Sequence, residues 1–149
     1  VLLQGRDFRG WQGDGFGAAV GAINARPARA SIAMRLAPGV RDALEVEASA
    51  ALSEGNSPAQ AALYLGAYEN KLVSEVRAGE NQGLTLRHDY VVLQWAGPFD
   101  LSSGRWSGRE RLPLLPGAVP ARSGVAAFVQ DRATGEVLQA LMRSARPGP

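Results

Sequence analysis

The stretch LEVEASAAL, residues 44–52, decides the fold because apolar residues occupy every second position in it. A repeat of two is that of a β-strand with one buried and one solvated face. The stretch IAMRL, residues 32–36, follows the same rule, and Pro38–Gly39 between the two stretches predicts a turn. The two stretches therefore predict an antiparallel hairpin with one dry face.

Strands of the same kind follow along the rest of the chain, separated by clusters of Gly, Pro, Asn and Ser. They are predicted at residues 61–69, 72–77, 85–96, 111–115, 125–131 and 136–142. Gly79–Gly83 is predicted as a hairpin tip, Pro98 as the end of the long strand, and Arg132–Gly135 as a turn. About eight short strands with turn signals between them are typical of an antiparallel β-sandwich. We assign the sandwich to residues 28–149.

The first 27 residues follow a different pattern. Two short strands, at residues 1–4 and 7–11, precede a helix at residues 16–25, for which the carboxylate of Asp14 is the expected N-cap. Arg26–Pro27 ends the helix. A β-hairpin plus helix of this length cannot form a core alone. Because the chain also begins on Val1 rather than on methionine, we expect residues 1–27 to be the end of a larger domain.

Composition excludes several kinds of chemistry. The chain of 149 residues has no cysteine and one histidine, so disulfides, thiol catalysis and zinc–thiolate sites are excluded within it. The net charge is +2, and the arginines are scattered rather than clustered. A nucleic-acid-binding surface would need a basic stripe, so we predict no nucleic-acid partner. No apolar run reaches the roughly 20 residues of a membrane span, and we predict no cofactor or metal.

Two runs carry a family resemblance. LYLGAYENKLVSEVRAGENQGLTLRHDYVV, residues 63–92, and VAAFVQDRATGEVLQA, residues 125–140, resemble a family of uncharacterised secreted bacterial proteins. The family has a thioredoxin-like N-terminal half followed by a β-rich half, and this chain resembles the distal portion. The resemblance implies that residues 1–27 end a thioredoxin-like domain and that the protein is periplasmic or secreted. The family's Cys-x-x-Cys pair has no counterpart in this chain.

His88 and Asp89 are the pair most suggestive of catalysis. Adjacent residues of an extended strand point to opposite faces, so the two cannot form a hydrogen-bonded dyad while residues 85–96 stay extended. His88 would share its face with Leu86, Tyr90 and Val92, which is typical of a packed or interface histidine. No Gly-x-Ser-x-Gly motif supplies a nucleophile. We expect a structural histidine whose ring bonds a neighbouring loop, and we assign no catalytic residue.

A Gly- and Ser-rich loop around Trp106 is the strongest surface candidate. Arg105, Arg109 and Arg111 flank this indole and could grip an anion, a sugar or an acidic segment of a partner. The alternative is that Trp106 folds back onto the sandwich while the arginines stay in solvent. The loop and His88 are therefore the candidate binding residues, and we place Trp95 and Phe99 in the core.

Two weaker patterns have ordinary structural explanations. Gly13–Gly17 lacks the spacing of a dinucleotide-binding loop and reads as a helix start. Glu45 and Glu47 lie on one strand face with Arg35 available across the hairpin, and they suit weak, solvated pairing with arginine.

The sequence favours a non-enzymatic accessory or interaction domain of an exported thioredoxin-like protein. Its partner would be the preceding thioredoxin-like half, with Leu2, Phe8, Phe16 and Ile23 as core positions of that half, or another protein. Two alternatives stay open: a thiol–disulfide oxidoreductase whose cysteines precede Val1, and a ligand-binding module using the Arg105–Arg111 loop. A hydrolase built around His88 is a further enzymatic alternative. The oligomeric state is not predicted.

Overall fold

The structure, a computed structural model, describes residues 1–38, 43–55 and 60–145. Antiparallel strands dominate it, and the predicted β-sandwich is confirmed. The turn predicted at Pro38–Gly39 reaches outside the described residues. Among those residues no helix is both long enough and apolar enough to cross a membrane.

The N-terminal segment forms a short hairpin and a helix, as the sequence predicts. The elements are β1 (Leu2–Leu3), β2 (Arg6–Asp7) and α1 (Gly15–Asn24). The second strand is shorter than expected, because the chain leaves the ladder after Asp7 and turns repeatedly before α1. Asp14 occupies the N-cap position but its side chain makes no capping hydrogen bond, so the predicted carboxylate cap is wrong. Its own backbone is helical (φ −62°, ψ −16°), whereas an N-cap residue that bonds the first turn usually has an extended backbone.

Two sheets form the sandwich. Their strands are β3 (Ala30–Pro38), β4 (Ala43–Leu52), β5 (Ala61–Glu69), β8 (Val91–Asp100), β9 (Arg105–Pro113), β10 (Ser123–Asp131) and β11 (Val137–Ser144). The four-stranded sheet has the order β11-β10-β5-β8, and the three-stranded sheet has the order β3-β4-β9. A single 3-10 turn, Pro120–Arg122, leads into β10. At one margin the two layers meet where the amide of Arg29 donates to the carbonyl of Leu138 (3.3 Å).

The core lies between the sheets and follows the alternation seen in the sequence. In β4 the even-numbered residues from Leu44 to Ala50 are buried, whereas Glu45 and Glu47 face solvent. Leucine and valine supply the bulk and alanine fills the close approaches between the layers. The larger fully buried side chains are Leu44, Val46, Leu63, Leu65, Leu101, Leu112, Val125 and Val129. Each such side chain contributes about 1.5–3 kcal/mol by leaving water.

The predicted strand at residues 85–96 is in fact two strands. β7 (Thr85–His88) pairs with β6 (Leu72–Glu75), and β8 begins only at Val91. The break falls at Tyr90, whose φ of 54° is left-handed and interrupts the extended chain. The β6–β7 pair thus projects from the sandwich as an arm, residues 72–88, with Gly79–Gly83 at its tip as predicted.

Pro98 does not end β8, which continues to Asp100. β8 lies at the edge of its sheet, where the missing amide hydrogen of proline costs no ladder bond. The pairing with β5 shifts between Leu63 and Leu65 at this point. Phe99 faces the core as expected, but Trp95 faces outward and is 53% exposed, so its predicted core position is wrong.

Gly124 provides a test of how closely the sheet packs. A Cβ atom there would collide with the backbone oxygen of Arg143 and the ring of Tyr68, whereas one at Gly21 in α1 would meet open space. We expect Gly124→Ala to lower the free energy of unfolding by about 1–3 kcal/mol. The control Gly21→Ala should leave it unchanged or raise it by up to about 1 kcal/mol, because alanine favours helix. Urea unfolding measures both, and equal effects would contradict this packing.

Candidate functional site

The N-terminal unit, residues 1–27, rests on a tight two-residue turn. Gln4 and Gly5 both have positive φ (52° and 72°), which is the geometry of a type I′ hairpin turn. The helix returns over this hairpin, and the ring of Phe16 meets that of Phe8 edge-on at 5.7 Å. This ring contact holds α1 against the chain that follows β2.

The turn also anchors the unit to the sandwich. The side-chain oxygen Oε1 of Gln4 accepts a hydrogen bond from the amide of Val137 (2.7 Å) at the start of β11. Gly5 lies so close to Gly135 that a Cβ atom at position 5 would overlap its carbonyl oxygen. Only glycine fits this approach, so the sequence pair Gln4–Gly5 fixes where the unit sits.

A cleft of about 400 Å³ separates the unit from the sandwich. Gln4 and Ile23 line one side of it, and Arg29 and Glu136 the other. Nη1 of Arg29 lies 3.2 Å from Oε2 of Glu136, both side chains being about one-third exposed. The Nε atom of Arg29 is buried and has no hydrogen-bond partner among the described residues. The ion pair closes this margin of the sandwich and leaves one arginine donor free.

Asp131 shapes the β10–β11 turn against which Gly5 packs. Its carboxylate accepts hydrogen bonds from the amide of Ala133 and the hydroxyl of Thr134, both at 2.9 Å. These bonds, the Ala133 amide first, hold the pKa of Asp131 below its ordinary value. Gly135 completes the turn with a φ of 78°, as the sequence predicts.

The apolar side of the N-terminal unit is largely uncovered. Leu2 is 74% exposed and Trp11 is 49% exposed. Phe8, Phe16 and Ile23 are half-buried, and none of the residues of α1 is fully buried. We call Leu2, Phe8, Trp11 and Phe16 the uncovered face, whereas Ile23 borders the cleft towards the sandwich.

The candidate residues around Trp106 lie in strand β9 rather than in the expected loop. Consecutive strand residues face opposite sides, so Arg105 points outward while Trp106 points inward. The indole stacks on Phe99 at 4.3 Å and covers Gly108. The sequence reads as a loop because its glycine and serine residues are turn formers, but here Gly108 makes room for a ring.

The other two arginines pair with glutamates of β4. Arg111 lies 3.6 Å from Glu45, and Arg109 lies 3.9 Å from Glu47. The structure therefore brings Arg105, Arg109 and Arg111 to one outward face but does not gather them around the indole. The glutamates do pair with arginine in solvent as expected, but the partners come from β9 and not from Arg35 across the β3–β4 hairpin.

His88 ends β7, opposite Leu72, and is half-buried. Its ring makes no hydrogen bond to another described residue, so the expected bond to a neighbouring loop is not seen. Asp89 accepts a hydrogen bond from the amide of Lys71 (2.9 Å), which occupies its carboxylate in a backbone role. No group of three or more metal-ligating side chains comes together in the part of the chain that the structure describes.

The sequence reasoning missed an aromatic cluster on the outward face of the four-stranded sheet. Tyr64 and Phe128 stack at 5.1 Å, and Trp95 meets Phe128 edge-on at 5.8 Å. Tyr68 contacts Tyr90 at 5.6 Å, and burial together with Tyr90 raises the pKa of Tyr68. The sequence LYLGAY, residues 63–68, does indicate outward aromatic residues, because a buried leucine alternates there with an outward tyrosine or glycine.

Comparison with known proteins gives a family and a fold. The family described as Protein of unknown function (DUF1223) matches residues 1–130. A search of the curated proteins gives no match. Among solved structures, HBP35 of Porphyromonas gingivalis matches with a TM-score of 0.59 at 15% identity, over 86% of this chain. This chain spans 44% of that one.

A second solved structure is a domain of the outer membrane lipoprotein Omp28 from Porphyromonas gingivalis. It matches at 15% identity with a TM-score of 0.45, over 78% of this chain and 88% of that one.

Asp131 gives a pH-dependent test of the turn that seats the N-terminal unit. Because its pKa is lowered on folding, the ionised carboxylate stabilises the folded chain above the unfolded pKa of about 3.9, and this contribution is lost as the pH falls through the folded pKa. Asp131→Asn keeps an acceptor oxygen but removes the charge. We expect the wild-type chain to be more stable than Asp131→Asn at pH 7, and the difference to shrink as the pH falls from about 5 towards 2.

Urea unfolding at a series of pH values measures this difference. The control Glu80→Gln changes an exposed carboxylate at the tip of the arm and should not alter how the free energy of unfolding depends on pH. A difference between wild type and Asp131→Asn that stays constant with pH would contradict the assignment.

Proposed function

This chain belongs to the DUF1223 family of proteins of unknown function, and from that premise we propose that it is a non-enzymatic interaction module of a longer, exported bacterial protein. In this proposal residues 1–27 complete a thioredoxin-like domain formed with chain that precedes Val1. The sandwich, residues 28–149, is the accessory domain that holds this segment in place. The partner of the uncovered face is therefore the protein's own preceding half.

The uncovered face is the observation that carries the proposal. The helix α1 has apolar residues at helical spacing, Phe16, Val20 and Ile23, yet buries none of them fully. A surface helix of a folded protein normally packs its apolar stripe against a core. Leu2 and Trp11 of the same unit are exposed as well. A layer of protein over this face would supply the missing core.

The attachment of the unit supports an accessory role for the sandwich. The Gln4–Val137 hydrogen bond and the Gly5–Gly135 contact fix the hairpin against the β10–β11 turn. Both contacts use the turn side of the unit and leave the uncovered face free. A preceding half could thus dock on the unit without displacing the sandwich.

The fold likeness to HBP35 supports placing this fold within a longer chain. The region of HBP35 that this chain matches is 44% of the HBP35 chain.

Export, to the periplasm or beyond, is proposed from the family resemblance carried by GENQGLTLRHDYVV, residues 79–92.

A charge placed on the uncovered face tests the proposal. The longer product, which includes the reading frame that precedes Val1, is expressed alongside the chain that begins at Val1. We expect Leu2→Asp to lower the free energy of unfolding of the longer product by about 2 kcal/mol, because the leucine would be buried there. In the shorter chain Leu2 is already exposed, so the same change should cost little.

The matched control is Leu115→Asp, at a residue that is 54% exposed and remote from the uncovered face. It should affect both products equally. Equal effects of Leu2→Asp on the two products, or a reading frame that supplies no further folded chain before Val1, would refute the proposal. A Cys-x-x-Cys pair in the preceding chain would instead favour thiol–disulfide exchange by the whole protein, with the sandwich still as its accessory part.

A further inference from the structure

The outward face of the four-stranded sheet carries a line of aromatic rings. We call Tyr64, Tyr68, Tyr90, Trp95 and Phe128 the aromatic stripe. Tyr64 and Tyr68 stand on the same face of β5, four residues apart, which is roughly 13 Å along a strand. Trp95 comes from β8 and Phe128 from β10, so three neighbouring strands contribute.

Small residues keep the stripe flat. Trp95 lies opposite Gly66 in the β5–β8 register, and its ring is so close that a Cβ atom on Gly66 would lie 3.1 Å from it. Tyr68 lies in the same way over Gly124 on the neighbouring strand. The rings therefore lie on the sheet surface instead of standing away from it.

Two of the five rings are open to solvent although they are large, whereas the other three are half-buried or buried. Tyr90 is 63% exposed and Trp95 is 53% exposed. Val92 and Met142 are exposed beside them on the same sheet. Contiguous exposed apolar surface of this kind marks a binding site more often than it marks bare surface.

The stripe is uncharged. The outward positions of β5 and β10 are Ala62, Tyr64, Gly66, Tyr68, Gly124, Ala126, Phe128 and Gln130. The other sheet differs, because its outward face carries Glu45, Glu47, Arg109 and Arg111. The carboxylate of Asp100 on β8 lies opposite Ala62, beyond the ring of Tyr64, so a charged ligand would find no counter-charge under the stripe itself and the ligand that fits it is neutral.

The stripe nevertheless offers polar groups. The hydroxyls of Tyr64 and Tyr90 make no hydrogen bond to other residues within the described parts of the chain, and neither side chain is buried, so both are available to a ligand. A ligand that suits them has apolar faces for the rings and hydroxyl groups along its edges. A pyranose ring has both, because its C–H bonds form the faces and its equatorial hydroxyls form the rim.

We propose that the aromatic stripe binds a neutral oligosaccharide, with successive sugar rings stacked on its two exposed rings, Trp95 and Tyr90. The ligand lies along β8, and the hydroxyls of Tyr64 and Tyr90 bond its edge. This site is separate from the uncovered face, which lies at the opposite end of the sandwich from Tyr68 and Tyr90. The sandwich thus has a ligand of its own in addition to its contact with the preceding half.

Titration with soluble oligosaccharides tests the proposal. Cellohexaose and hexa-N-acetylchitohexaose, both uncharged and β-1,4-linked, are added to the chain, and binding is followed by calorimetry and by tryptophan fluorescence. We expect at least one of them to bind and Trp95→Ala to weaken that binding about tenfold, the loss of one good aromatic contact. Tyr90→Phe, which removes only a hydroxyl, should weaken binding by a smaller factor.

Two controls keep the test independent of folding and of the proposed function. Leu115→Ala removes an equally exposed apolar side chain elsewhere and should bind as wild type does. Leu2→Asp, on the uncovered face, should also bind normally, so failure of one proposal does not imply failure of the other. Circular dichroism and the midpoint of thermal unfolding show whether each variant is folded.

Three outcomes would overturn the proposal. The first is that neither saccharide binds the wild-type chain. The second is that both saccharides bind the folded Trp95→Ala variant as tightly as they bind the wild-type chain. The third is that wild type self-associates through Trp95 and saccharide does not compete, which would make the stripe a protein interface.

Discussion

Strand β5 is buried on both of its faces, and the rest of the structure depends on this. Its inward side chains Leu63, Leu65 and Ala67 are fully buried in the core between the sheets. Its outward side chains Tyr64 and Tyr68 are covered in part by rings from the strands on either side. A strand in this position cannot slip by one residue, because the slip would put tyrosine in the core and leucine in solvent. The register of β8 and β10, and through them of the whole four-stranded sheet, follows from β5.

The two ends of β5 lead to the N-terminal unit and to the arm. Near its start lies the β10–β11 turn, where Asp131 and Gly135 seat the N-terminal unit. Beyond Glu69 the chain passes into the arm. There Lys71 and Tyr90 both take left-handed backbone conformations, and their amides bond to Asp89 and Asn70. An isolated two-stranded hairpin is at best marginal in water, so the arm depends on these bonds and on the ladder that continues from β5.

The sequence predicts most of the fold because period-two alternation is a local signal. It locates β4 and β5 almost to the residue and predicts the β10–β11 turn from Thr134–Gly135. It fails where a single backbone torsion decides the outcome. Nothing in RHDYV, residues 87–91, signals that Tyr90 takes a left-handed conformation, so one long strand was expected where there are two. The loop predicted around Trp106 is wrong for a related reason. Glycine is a turn former in sequence, whereas Gly108 makes room for the ring of Trp106 in the same strand and Gly66 for the ring of Trp95 on the neighbouring strand.

The two outward faces of the sandwich indicate which layer is available for binding. The arginine–glutamate pairs on the three-stranded sheet are exposed, at 3.6 and 3.9 Å, and each contributes up to about 1 kcal/mol. Their stronger effect is to keep that layer solvated, because stacking another apolar surface on it would strip water from both charges of each pair. On the four-stranded sheet, covering the rings of Tyr64, Trp95 and Phe128 would strip water from no such charged pair. The asymmetry between a charged layer and an aromatic layer therefore directs any ligand of the sandwich to the aromatic one.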